Sequence, residues 1–227
     1  MSELKRTQLY GAHVKAGASL VDFGGWEMPI QYPTGIVAEH LNCRGGCGIF
    51  DVSHMGRLDI QGPDMVLFLQ HVITSNVLAL DVNQSQYAIM PDENGYAIDD
   101  VYLYRFEEDR YLLVVNAGNI DKDLVHLYQE AEKFDVAITN VSGQYAAIAV
   151  QGPRSKDILK ALHGGRELTA ENVKNALSTT TMEGRPVRVA KTGYTGEPIG
   201  YELYCDSADA EYFWDLSLIH ISEPTRR

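Results

Sequence analysis

A tripeptide that recurs after two apolar, β-branched runs constrains this chain more than any other feature. Leu58-Asp-Ile-Gln-Gly-Pro63 leads into Met65 to Ile73, and Ile148-Ala-Val-Gln-Gly-Pro153 leads into Ser155 to Leu162. Each copy reads as a strand, a Gln-Gly-Pro turn and a helix. Glycine permits a sharp exit from the strand, and proline suits a first helical turn, where its missing N–H costs nothing. Two copies do not make a solenoid. They mark two related strand–helix units that start two halves of an α+β structure.

Between the copies the chain is β-rich. Tyr87 to Met90, Tyr96 to Phe106 and Tyr111 to Val115 are β-branched and aromatic, and the turn-like segments Asp92-Glu-Asn-Gly95 and Glu107-Glu-Asp-Arg110 join them. An antiparallel meander follows. A helix is predicted from about Asn119, with Ile120, Leu124, Leu127, Ala131 and Phe134 on one stripe, and with Asp121 and Asp123 in the first turn, where the dipole favours acids. Val136 to Val141, Tyr145 to Val150, Arg185 to Ala190 and Tyr201 to Cys205 read as further strands. Nearer the start, Leu9 to Ala16 reads as a short helix and Val21 to Pro29 as a glycine- and aromatic-rich loop. Thr34 is placed to cap a helix through Ile36, Val37, His40 and Leu41, ended by Gly45-Gly46. From Leu216 the helical pattern gives way to Ile-Ser-Glu-Pro-Thr-Arg-Arg. Residues 216–227 are read as a non-native tail, of the kind a translated adapter leaves, and are set aside.

The chain has 227 residues, 45% hydrophobic and 22% charged, which suits one large domain or two medium ones. A net charge of −12 argues against a nucleic-acid reader, although local basic groups can still receive a small anion. No apolar run approaches bilayer length. The first residues lack a signal core or transit character, so a cytoplasmic location is expected. Cys43, Cys47 and Cys205 read as reduced structural thiols, because a single Cys-x-x-x-Cys is weak evidence for zinc.

Several residues are candidates for chemistry. Asp99 and Asp100 are adjacent on a strand, so their side chains point to opposite faces and cannot share a proton as a pair. Asp100 shares a face with Ile98, Tyr102, Tyr104 and Phe106, and Asp99 with Val101, Leu103 and Arg105. Partial burial among tyrosines would raise the pKa of Asp100, as acid–base work requires; a solvated acid at a strand start, or a turn cap, fits the pattern alone somewhat better. Lys191-Thr-Gly-Tyr-Thr-Gly-Glu197 can present Tyr194, or be an ordinary turn; it lacks the Gly-Lys-Ser/Thr of a phosphate loop. Glu202 lies on one face with Tyr204. Ser53 and His54 make no catalytic dyad, the histidines have no metal spacing, and no dinucleotide fingerprint is present, so no metal is expected.

Six segments in order resemble one family. Val21-Asp-Phe-Gly-Gly-Trp-Glu-Met-Pro29, Phe50-Asp-Val-Ser-His-Met-Gly56, Asn94-Gly-Tyr-Ala-Ile-Asp-Asp100, Val115-Asn116, Gln151-Gly-Pro153 and Thr192-Gly-Tyr-Thr-Gly-Glu197 are similar to the T-protein of the glycine cleavage system, a tetrahydrofolate-dependent aminomethyltransferase family. The resemblance runs from about residue 6 to about residue 215. It implies two domains of a three-domain folate-binding cloverleaf, mainly antiparallel sheets flanked by helices. Residues 1–54 plus 142–215 would form a discontinuous first domain and 55–141 the second. The C-terminal barrel domain, with an arginine thought to bring the lipoyl-bearing partner to the site, would lie beyond this chain, which is therefore expected to be truncated. The resemblance further implies that a methylene group moves from an aminomethyl–lipoyl arm on the H-protein to tetrahydrofolate, releasing ammonia. Asp100 matches the catalytic acid beside the pterin, and Glu202 the acid that binds the pterin N–H groups. Met55, Tyr87, Asn116 and Tyr194 match other walls of the folate site. The link through Glu197-Pro-Ile-Gly200 is one residue longer than the family pattern. A related folate-dependent demethylase is the enzymatic alternative. A non-enzymatic folate-binding protein of iron–sulfur cluster assembly is the other, but its Lys-Gly-Cys-Tyr-x-Gly-Gln-like motif is missing.

Overall fold

The computed structural model describes residues 3–168, 173–193 and 195–222. The chain divides into two compact units. The first comprises Met1–His54, Gln144–Lys174 and Ser178–Arg227, and the second Met55–Gly143 and Asn175–Leu177.

The first unit opens with α1 (Tyr10–Lys15), β1 (Ser19–Phe23), β2 (Trp26–Gln31), α2 (Ile36–Gly45) and β3 (Gly48–Asp51). The second unit follows, with β4 (Gly56–Gln61), α3 (Met65–Val72), β5 (Gln84–Pro91), β6 (Ala97–Arg105), β7 (Arg110–Val115), α4 (Ile120–Ala131) and β8 (Ala137–Asn140). The chain then returns to the first unit through β9 (Tyr145–Gln151), α5 (Ser155–Leu162), β10 (Leu177–Met182), β11 (Arg185–Ala190), β12 (Gly200–Asp206) and α6 (Ala210–Ser222). Among the described residues the strands form a five-stranded sheet in each unit, ordered β10-β11-β12-β9-β3 and β5-β6-β7-β4-β8, and a separate β1-β2 pair. The strand pairings set out residue by residue are antiparallel. This is an α+β fold.

Alternation builds both cores. In the second unit Leu58 and Ile60 on β4, Val101 and Leu103 on β6, and Tyr111 and Leu113 on β7 pack with Phe68, Leu69 and Val72 of α3 and Leu127 of α4. In the first, Ile148 and Val150 on β9 and Tyr201 and Leu203 on β12 pack with Ile158 and Leu162 of α5 and Phe213 and Trp214 of α6. The recurring strand–turn–helix units are β4–α3 and β9–α5. Their glycines, Gly62 and Gly152, sit at φ +128° and +120°. A Cβ on Gly62 would lie 2.5 Å from the Asp135 carbonyl oxygen, and one on Gly152 2.5 Å from that of Cys43. Two requirements, left-handed backbone and close approach, thus coincide at each. The prolines precede the helices rather than entering their first turns.

Two readings of local structure are corrected. Val21 to Pro29 is a hairpin and not a loop. Gly24 and Gly25, at φ +60° and +86°, turn the chain between β1 and β2, and Asp22 Oδ1 accepts from the Gly25 N–H at 2.9 Å. Thr34 does not cap α2; Gly35 occupies that position with φ 84°, and no side chain caps the helix. Asp123 lies in the first turn of α4, as expected, and is fully buried there. Two further elements carry little sequence signal. β3 is a short edge strand, and Asn175 to Leu177 pair with the start of β5 through Ser85 N–H to Asn175 O at 2.8 Å and Leu177 N–H to Asn83 O at 2.8 Å. At the far end α6 runs to Ser222, and Leu216 packs against the core. No described helix is long and apolar enough to cross a membrane.

Candidate functional site

The strand ends of the second unit gather the first group of candidate residues. Tyr102 on β6 pairs with Val114 on β7, and Gly56 on β4 pairs with Val115. Continuing both registers one or two steps brings Asp100, Asn116 and Met55 level across three neighbouring strands. Asn116 ties this row together. Its Nδ2 donates to Asp100 Oδ1 at 2.9 Å and to the Asp100 carbonyl at 3.1 Å. The same nitrogen donates to Asp99 Oδ1 at 2.9 Å, and the Asn116 backbone N–H donates to Asp99 Oδ2 at 2.9 Å. Asn119 Nδ2 adds a bond to Asp99 Oδ1 at 2.7 Å.

The two aspartates differ in burial, and of the two readings of Asp100 the solvated acid is the one found. Asp100 is exposed rather than partly buried, while Asp99 is buried. The cause is the parity of β6: Asp99 shares the core-facing side with Val101 and Leu103. Desolvation pushes the Asp99 carboxyl up. The hydrogen bonds from Asn116, together with those of Asp123 and Asn119, outweigh it and hold Asp99 below the usual carboxylate range.

Tyr87 on β5 is diagonal to Asp100 and 52% exposed. Its phenol is pushed above its ordinary value, first by desolvation and then by the charge and hydrogen bond of Asp100. Tyr87, Tyr102 and Tyr104 form a run of rings, with centroids 6.3 Å and 5.3 Å apart. Met55 is half-buried in the turn before β4, where its carbonyl accepts from Arg57 Nη1 at 2.9 Å. The second unit therefore offers an exposed carboxyl, held by an amide, beside an exposed aromatic ring.

Glu202 belongs to the first unit. It sits on β12 between Ala149 of β9 and Ala190 of β11, and it is 1% exposed. Its Oε2 accepts from Thr192 Oγ1 at 2.6 Å and Tyr204 OH at 3.1 Å. Nearby, Gln151 is pressed over two glycines. A Cβ on Gly193 or Gly200 would lie 2.0 Å or 2.3 Å from its Oε1. Gln151 Nε2 donates to the carbonyls of Thr192 and Tyr201, and its Oε1 accepts from Thr195 Oγ1. Tyr194 lies outside the described residues.

A second network in the first unit escaped the sequence reading. Thr7 Oγ1 donates to Asp51 Oδ2 at 2.6 Å, His13 Nε2 lies 3.0 Å from the same oxygen, and Tyr32 OH lies 2.9 Å from His13 Nδ1. Desolvation raises the Asp51 carboxyl, but the hydrogen bonds of His13, Thr7 and Ser53 prevail and lower it. A cavity of about 320 Å³ borders this network, walled by Met28, Tyr32 and Trp214 among others. Asp123 was legible in principle, because a polar residue three positions after Ile120 interrupts the apolar stripe. Among the described residues no cluster of metal-ligating side chains occurs.

Two antiparallel sheets flanked by helices, one carrying an exposed amide-held carboxyl, place the chain in a recognisable α+β class. Residues 9–223 match the family model described as the GCVT N-terminal domain, and the chain belongs to that family. It is 46% identical over 212 residues to an aminomethyltransferase of Deinococcus deserti, covering 93% of this chain and 58% of that protein. With an aminomethyltransferase of Thermus thermophilus it shares 44% over 208 residues, covering 92% and 58%. The glycine cleavage system aminomethyltransferase T of Bartonella henselae superposes with a TM-score of 0.84 at 32% identity, covering 95% of this chain and 57% of that one. A chain of the heterotetrameric sarcosine oxidase of Corynebacterium sp. U-96 shares the fold, with a TM-score of 0.63 at 13% identity. The chain thus spans a little under three fifths of the curated relatives it matches.

Proposed function

We propose that this chain is the folate-holding part of an aminomethyltransferase of glycine cleavage. The reaction moves a methylene group from an aminomethyl–lipoyl arm on an H-protein to tetrahydrofolate and releases ammonia. The observation that carries this reading is the Asp100 carboxyl, exposed yet fixed by Asn116 and set beside Tyr87. The similarity to aminomethyltransferases supports it.

The residues suit such a substrate. Tyr87 and Met55 offer aromatic and apolar surface to a flat heterocycle. Asn116 fixes the carboxyl that must face it. Bound tetrahydrofolate would supply the nitrogen nucleophile, which turns positive as its bond to the methylene carbon forms and the carbon's bond to the departing amine breaks. Asp100 answers that charge and can accept the proton released. No metal is required of these residues.

The test is a chimera completed with the C-terminal portion of the Deinococcus deserti relative. Asp100→Asn is expected to lower methylene transfer by about a hundredfold or more while circular dichroism stays unchanged. Unaltered turnover in Asp100→Asn would remove the basis of the assignment, as would activity that depends on an added metal.

A further inference from the structure

Two carboxyl groups meet inside the second unit. Asp99 projects from the core-facing side of β6 and is 5% exposed; Asp123 projects from the inner stripe of α4 and is 0% exposed. The N–H groups converge on one of them. Asp99 accepts from the Asn116 backbone, the Asn116 side chain and the Asn119 side chain. No described N–H or O–H group of known orientation donates to either oxygen of Asp123. The neighbouring group that acts on it most strongly is the Asp99 carboxyl. A hydrogen bond between two carboxyls requires a proton on one of them. Ionising both would set like charges together out of water. The donors decide which acid keeps the proton: Asp99, with three N–H partners, is the anion, and Asp123 is the acid.

The consequence reaches Asp100. The nitrogen of Asn116 that holds Asp100 is the same nitrogen that donates to Asp99. Fixing the rotation of the Asp99 carboxyl therefore fixes the amide that fixes Asp100.

We propose that Asp123 is a positioning residue: as a neutral carboxylic acid it donates to Asp99 and so locks Asn116 onto Asp100. That Asp100 acts on a substrate rests on the reading above; the proton and the bridge do not. The charged groups that act on Asp123 are Asp99 on β6 and Lys122 on α4. The ammonium of Lys122 is 2.6 Å from the Ile98 carbonyl. Desolvation, then the hydrogen bond and charge of Asp99, push Asp123 up to about 8, against the pull of Lys122.

The experiment uses this chain, free of ligand, with ¹³C-labelled aspartate and ¹⁵N-labelled asparagine side chains. Infrared spectra should show the carbonyl stretch of a protonated aspartic acid at neutral pH, lost in both Asp123→Asn and Asp123→Leu. The Asn116 side-chain amide signals should titrate with a midpoint of about 8 in the parent chain. They should move in Asp123→Leu and return in Asp123→Asn, whose amide can still donate to Asp99. Tetrahydrofolate affinity by calorimetry should fall about tenfold in Asp123→Leu and recover in Asp123→Asn. If the leucine variant does not fold, the parent titration and the asparagine variant decide. Absence of the acid band, or an Asn116 amide indifferent to Asp123, overturns the proposal. A chain that binds no folate but shows the band and the amide response upholds the proposal, and the folate reading is then decided by the completed chimera.

Discussion

Asp99 and Asp100 show what one step along a strand does to chemistry. They share a peptide bond and a partner in Asn116, yet one is buried in the core and the other faces solvent. Opposite orientation was legible from strand periodicity alone. The burial was not, because it depends on the side that α4 covers, and nothing local encodes that. Asp123 adds a pH signature whose sign follows from linkage. Its folded pKa, about 8, is raised above the ordinary carboxylate value. The folded state therefore binds the proton more tightly, and this contribution to stability is full below about pH 4 and is lost as pH rises toward 8. Asp99 has the opposite sign. Its lowered pKa contributes stability above the unfolded value, which is lost as pH falls through the folded one. In urea melts between pH 5 and 8, Asp123→Asn should remove most of the loss that the parent chain suffers with rising pH. An equally steep loss in the variant would place the titrating group elsewhere.

At the scale of elements, the two strand–turn–helix units were the clearest part of the sequence, because a forced backbone geometry leaves a residue signature. Gly62 and Gly152 combine positive φ with backbone atoms at 2.5 Å from any added Cβ. Alanine at either should destabilise the chain by about 2–3 kcal/mol in chemical denaturation. Gly24 is the control. It has positive φ but open space around it, so alanine there should cost only about 1 kcal/mol. Equal losses at all three would mean that close approach contributes nothing. The β1–β2 hairpin was harder to read, since Val21-Asp-Phe before Gly24-Gly25 is exposed and only Met28 of Trp-Glu-Met after it is buried, which leaves little core pattern. The pairing of Asn175 to Leu177 with β5 left no trace in composition, because backbone hydrogen bonds make it. Glu202 beside Tyr204 was readable as a shared strand face. Its link to Thr192 required knowing where the preceding turn goes.

At the scale of the whole molecule, the three cysteines all fall in the first unit and all are buried and unpaired. Burial pushes the thiols of Cys47 and Cys205 up to about 12, and raises that of Cys43 as well. Thiolate is the reactive form, so a disulfide reagent at pH 8 should leave the native chain unlabelled. Denaturant should release all three together and report the opening of this unit alone. Prompt labelling of any of them in the native state would show that its burial is breached.

The order in which the chain is made bears on how it can fold. Strand β3 is complete once residue 51 is in place, but its partner β9 begins only at Tyr145, after the whole of β4 to β8. At about 5–20 residues per second on the ribosome, β3 waits several seconds or more for a neighbour. The inserted unit can close most of its own sheet during that interval, from segments contiguous in the chain. The nascent chain thus holds a nearly finished module between two halves of an unfinished one. A chaperone acting during synthesis would meet its exposed client segment at β1 to β3, long before the last strand of that sheet emerges.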